Sequence, residues 1–129
     1  MACRPRGAGG LGLRFEADAE GVRAEFACDL SYQGYPDRVH GGVIATLLDA
    51  AMTHCLFARQ VRGYTVRLNI RFHAPLQLGP PAIVRAAVSG ARPPLYLLRA
   101  EVRQADRRCA SAEASFFGER NPDPSSAAH

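Results

Sequence analysis

Two hydrophobic periods divide the chain. Leu11 to Ala17 and Val22 to Asp29 put apolar residues at every second position on either side of Glu20 and Gly21, which predicts strand, turn, strand. Leu30 to Val39 carries Gly34, Pro36 and Asp37 and reads as a loop. From Gly41 to Gln60 the period becomes helical: Val43, Ile44, Leu47, Leu48, Ala51, Met52, Cys55 and Leu56 recur at three-and-four spacing. Apolar residues wrap most of this helix, with Asp49 and His54 as exceptions, and Gly63 is expected to end it.

Beyond Tyr64 the alternation returns. Tyr64, Val66, Leu68, Ile70 and Phe72 are expected on one side of a strand, with Thr65, Arg67, Asn69, Arg71 and His73 on the other. Ala82 to Ser89, Leu95 to Gln104 and Cys109 to Phe117 follow as strands, separated by Gly- and Pro-rich turns and by Ala105 to Arg108. The order is two strands, one long helix and four strands, which predicts an α+β domain with an antiparallel sheet of about six strands. The domain is expected over residues 11–118, between tails at 1–10 and 119–129. So apolar a helix needs more cover than one sheet face, and a second copy of the chain is the simplest source.

At 129 residues there is room for one core. No apolar run reaches the roughly 20 residues that span a bilayer, and the arginine-bearing N-terminus lacks the apolar core of a secretory leader. All 16 basic residues are Arg, so lysine chemistry is excluded. The net charge of +4 is spread without a basic stripe, which argues against a nucleic-acid partner and suits an anionic small substrate. Four Cys and four His fit no metal-ligand spacing, and reduced thiols in the cytoplasm are expected.

The chemistry concentrates around the helix. His40 precedes Gly41 and Gly42, which open it; amides at a helix start carry partial positive charge, and glycine lets a ligand approach them. A carbonyl becoming an oxyanion can sit on the Gly41 or Gly42 amide. Packing at a glycine N-cap explains the pair equally simply. Asp49, inside an apolar helix, must be paired, wetted or functional. It lies eight residues after Gly41, roughly 12 Å along the axis. One reacting carbonyl cannot touch both on the same helix, whereas two antiparallel helices across a dimer axis bring one Gly41 beside the other Asp49.

The stretch Gln33-Gly34-Tyr35-Pro36 with Val39-His40-Gly41-Gly42-Val43-Ile44-Ala45-Thr46-Leu47-Leu48-Asp49, and Leu68-Asn69-Ile70-Arg71-Phe72-His73-Ala74-Pro75, resembles the hotdog-fold acyl-CoA thioesterases, in the PaaI-like branch related to phenylacetyl-CoA and hydroxybenzoyl-CoA thioesterases. The resemblance covers Leu11 to Gly118. It implies hydrolysis of an acyl-CoA to a carboxylate and free CoA, with no metal or redox cofactor, by a homodimer or dimer of dimers whose sites are shared between subunits. Asp49 would be general base or nucleophile, Gly41 and Gly42 the oxyanion hole, Thr65 the holder of the attacking water, and His40 the shaper of the helix start. Relatives carry Asn where this chain has Gly34, beside Gln33, and Glu where it has Ala50; Gln33 is the candidate replacement for the Asn. Arg67, Arg71, Arg92, Arg103 and Arg107 are candidates for CoA phosphates. Two alternatives remain, a non-catalytic acyl-CoA-binding module and an enoyl-thioester hydratase or dehydratase, whose family carries a catalytic Asp–His pair at a spacing this chain lacks.

Overall fold

The computed structural model describes residues 13–28, 33–35, 38–39 and 41–120; for 33–39 it describes the strands and not the side chains. His40 and both expected tails, save Glu119 and Arg120, lie outside the described residues. β1 (Glu16–Ala17) and β2 (Val22–Phe26) precede a small hairpin, β3 (Gln33–Tyr35) and β4 (Arg38–Val39). Helix α1 (Gly41–Phe57) follows, then β5 (Val61–Phe72), β6 (Ala82–Arg92), β7 (Leu95–Gln104) and β8 (Arg107–Arg120). Six strands form one antiparallel sheet in the order β1-β2-β6-β7-β8-β5, and β3-β4 pair separately. The strands, helix, strands order predicted from periodicity is the observed one. No helix among the described residues is long and apolar enough to cross a membrane.

Alternation builds the core. Val22, Ala24 and Phe26 of β2, Val84 and Ala86 of β6, Leu98, Ala100 and Val102 of β7, and Ala110, Ala112, Ala114 and Phe116 of β8 are all buried on the face that receives α1. Ala86, Ala100 and Ala112 are register partners across three central strands. This row of small side chains lets the helix lie close to the sheet. Leu47, Leu48, Ala51 and Met52 of α1 are wholly buried there. Phe116 is a fully buried aromatic, and truncating such a ring costs about 3–5 kcal/mol.

Three expectations change. The segment read as a loop contains the β3-β4 hairpin, with Gln33 opposite Val39 directly before the helix. The helix ends at Phe57, not near Gly63: Gln60 takes the left-handed conformation (φ 62°) that turns the chain into β5, where Gly63 is an ordinary strand residue. Third, the two sides of β5 are not fixed along its length. A bulge at Val66 shifts the pairing from Thr65 with Phe116 to Arg67 with Ser115. Before the bulge, odd-numbered positions face the helix; after it, even-numbered ones do. Thr65 therefore shares a face with Leu68, Ile70 and Phe72, while Tyr64 lies against Phe117 on the other side, ring centroids 5.9 Å apart.

At the other edge, β1 is two residues long. Asp18 closes the β1-β2 turn by accepting the Glu20 and Gly21 amides at 2.8 and 2.9 Å. Gly21 (φ 153°) is needed there, since a Cβ would collide with the Ala86 carbonyl. Buried Gln104 ties the loop before β6 to the end of β7, accepting from the Gln77 amide and donating to the Gln77 and Pro80 carbonyls.

Candidate active site

The sheet leaves one stripe of α1 open. Gly42, Thr46, Thr53 and Phe57 are exposed and Asp49 is half-buried, one residue per turn along the same side. The two threonines bond back to their own helix, Thr46 to the Gly42 carbonyl and Thr53 to the Asp49 carbonyl, both at 2.9 Å. Asp49 differs: its Oδ1 accepts a 2.8 Å hydrogen bond from the Thr65 hydroxyl of β5. Among the described residues this is its only side-chain partner. The bond fixes one carboxylate oxygen; the other has no hydrogen-bond partner among the described residues and is not buried. The hydroxyl oxygen of Thr65 keeps lone pairs with which to hold a water.

The structure thus brings Asp49 and Thr65 together, as the resemblance implied. The bulge at Val66 makes this possible, because strict alternation would have turned Thr65 outward. Gly41 begins the helix, where an amide has no carbonyl of its own helix to bond. It sits against the Phe72 ring, an ideal Cβ there falling 3.8 Å from the ring edge. Gly41 and Asp49 remain two helical turns apart in one chain. The β3-β4 hairpin leads Gln33 and Gly34 to the helix start at backbone level, and His40 lies outside the described residues.

His54 is no partner for Asp49. It stacks on Phe15 with ring centroids 4.7 Å apart, and burial holds its pKa below the usual 6.5. His73 lies on the opposite face of the sheet, bonded to Ser111. Of the arginine candidates, Arg103 is paired with Glu101 at 2.9 Å, while Arg67, Arg71, Arg92 and Arg107 are exposed. Sequence reasoning missed Phe72, whose exposed ring borders Gly41; its apolar alternation was visible but its place at the site was not. No group of His, Cys, Asp and Glu among the described residues could hold a metal ion.

β5 is also an open edge. It runs for 12 residues with β8 on one side and, among the described residues, no strand on the other. Val66 and Phe72 are more than half exposed along it, and Phe57 of the helix stands nearby in sequence and equally exposed.

A family model described as the thioesterase superfamily matches residues 37–111, a span that includes the helix, Asp49 and Thr65. The chain belongs to the thioesterase superfamily. Its one helix on a six-stranded antiparallel sheet is the hotdog fold. It is similar to acyl-coenzyme A thioesterase THEM4 of Bos taurus, 30 % identical over 95 residues that make up 73 % of this chain and 39 % of that protein. The chain therefore spans well under two thirds of that relative. A thioesterase superfamily protein of known structure is 29 % identical, with a TM-score of 0.77 over 81 % of this chain and 55 % of its own. A hypothetical thioesterase from Streptococcus pneumoniae TIGR4, crystallised with coenzyme A, shares the fold with a TM-score of 0.81 at 14 % identity, covering 87 % of this chain and 89 % of its own.

Proposed function

We propose that this member of the superfamily hydrolyses acyl-CoA thioesters, in a homodimer whose two sites are each built from both chains. The observation that carries the reading is the Thr65 to Asp49 hydrogen bond at the open edge of the sheet. It presents an oriented carboxylate beside the open edge of β5, on the helix that Gly41 begins. The Asp49 carboxylate takes a proton from a water held with Thr65 as the water oxygen attacks the thioester carbonyl carbon. The carbonyl oxygen becomes an oxyanion on the Gly41 amide of the second copy, with Gly42 beside it. The carbon–sulfur bond then breaks, the CoA thiolate leaves and takes up a proton, and the acyl group departs as a carboxylate. His40, Gln33 and Gly34 border the helix start that this scheme uses. The reaction calls on no cofactor beyond the CoA of its own substrate.

The levels marked along β5 support a shared site. Thr65 marks the level of Asp49, and Phe72 marks that of Gly41. Because the bulge at Val66 takes one residue out of register, pairing two β5 edges antiparallel about a two-fold axis at Asn69 carries each Thr65 to the level of the other chain's Phe72. Each Asp49 then faces the other chain's Gly41. The buried free thiols of Cys55 and Cys109 support a cytoplasmic setting.

The test is thiol release from a panel of acyl-CoA thioesters. Release by the wild type and its fall by about two to four orders of magnitude in Asp49→Asn, with unchanged melting, is the expected result. Near-normal hydrolysis by Asp49→Asn removes Asp49 from the mechanism. Tight binding without thiol release makes the chain a binding module, and hydration of an enoyl-CoA without release makes it a hydratase.

A further inference from the structure

The sheet has a second face, turned away from the helix. The residues that alternate with the core form a trough of about 920 Å³ there. Arg23, Arg71, Arg85, Arg99 and Arg108 line it. Among the described residues the only ion pair is that of Arg103 with Glu101, so none of these five has a carboxylate at ion-pair distance. Four acids also border the trough: Glu101 is paired with Arg103, Asp18 accepts two backbone amides, Glu20 lies in the β1-β2 turn, and Glu113 stands opposite Arg99 on the neighbouring strand. Within the trough Arg23 also stands directly opposite Arg85 on the neighbouring strand. Like charges so placed destabilise a sheet, and an anion lying over them removes that cost.

One end of the trough carries more than charge. Arg71 and Ser111 are register partners on β5 and β8. His73 Nε2 lies 2.8 Å from Ser111 Oγ, and Arg108 lines the same end. With the imidazole as donor, the hydroxyl hydrogen of Ser111 is free for a further acceptor. Two guanidinium forks beside a hydroxyl and an imidazole match a phosphate group, whose oxygens accept several short, charge-assisted hydrogen bonds. The Asp49 site uses none of these groups, since it lies on the opposite face of the sheet.

We propose that Arg71, His73, Ser111 and Arg108 form a phosphate-binding site on the outer face of the sheet, for a ligand bearing a phosphate ester or diphosphate. The phosphate has two possible sources, the nucleotide end of a CoA thioester or a separate phosphorylated metabolite. Binding does not depend on thioester hydrolysis, so the site and the proposed activity stand or fall separately.

The experiment titrates pyrophosphate, and then free CoA, into the full chain by calorimetry, with the His73 imidazole followed by NMR. The comparison is the Arg71→Gln/Ser111→Ala double variant, with Arg62→Gln, an exposed arginine outside the trough, as control. Expected are saturable pyrophosphate binding that moves the His73 signals, binding at least tenfold weaker in the double variant, and no change in the control. Equal binding by wild type and double variant, or a His73 signal that does not move, overturns the site. KM identifies the source. A KM for acyl-CoA raised about tenfold in the double variant, at constant kcat and with the acyl-pantetheine KM unchanged, assigns the site to the substrate's nucleotide. Lost pyrophosphate binding with both KM values unchanged assigns it to a separate ligand.

Discussion

The two edges of the sheet are opposites. The β1 edge is blunt: two residues of strand, a turn closed by Asp18, and Phe15 laid over His54. Short edges of this kind resist further pairing. The β5 edge is long, carries exposed Val66 and Phe72, and sits beside the one stripe of α1 that the sheet leaves uncovered. Each edge has its titratable helix residue. His54 is stacked under an aromatic ring, and burial disfavours its charge. Asp49 is half-buried and hydrogen-bonded on one oxygen, with the other accessible and without a partner among the described residues. One helix thus holds a histidine in a finished environment and an acid in an unfinished one, and the proposed function puts the partner and the substrate on the unfinished side.

Closing the open edge should have the largest effect. Phe72→Asp puts a charge where an exposed ring stands in the single chain, so the fold should survive. In a paired edge that charge is desolvated, at a cost of several kcal/mol. Sedimentation should report a monomer, and hydrolysis should fall by about two orders of magnitude or more. A dimeric, active Phe72→Asp variant places the interface elsewhere, whereas a charge at exposed Glu16→Arg on the blunt edge should change neither measurement.

The Thr65 hydroxyl is a smaller contribution, one hydrogen bond on the order of 1 kcal/mol. Thr65→Ala should lower kcat about tenfold with little change in KM. A loss as large as that of Asp49→Asn would mean that Thr65 does more than orient the acid and hold a water.

This pair marks the limit of what the sequence displays. β7 was legible end to end, because Leu95 to Gln104 alternates without interruption between two turns. The start of α1 was legible from the glycine pair and the change of period. The bulge at Val66 was not: Tyr64 to His73 alternates cleanly on paper, and nothing in it marks the residue where the pairing slips. Resemblance therefore points to a water-holding role for Thr65, while periodicity alone puts it on the wrong side of the strand, away from Asp49. The end of α1 was misplaced because a left-handed Gln60 does the work expected of glycine. The β3-β4 hairpin hid in a segment whose Gly34, Pro36 and Asp37 signal a turn and mask the short strands beside it.

Mixing two damaged chains sharpens the comparison further. Gly41→Pro removes the proposed amide donor, and Asp49→Asn removes the acid. If the sites are shared, random reassembly makes about half the dimers mixed, each with one intact site, so activity should return to roughly a quarter of wild type. Both parents must be folded and dimeric beforehand. Confirmed exchange without recovered activity would mean that acid and amide do not meet across the open edge.

The blunt edge carries the smallest effect, and it runs with pH. Burial lowers the pKa of His54 in the folded chain below 6.5, while the unfolded chain keeps the ordinary value. Between those two values the unfolded state binds more protons, so stability falls as pH falls through that window. Above pH 6.5 both states hold a neutral imidazole and the contribution is fully present. His54→Gln removes the titration and keeps a planar polar group against Phe15. Melting temperature plotted against pH should therefore fall less steeply below 6.5 in His54→Gln than in the wild type, while the two curves run parallel above it. Parallel curves throughout would mean that the imidazole is as well solvated when charged as it is in the unfolded chain, and that Phe15 covers it too loosely to make the blunt edge a finished environment.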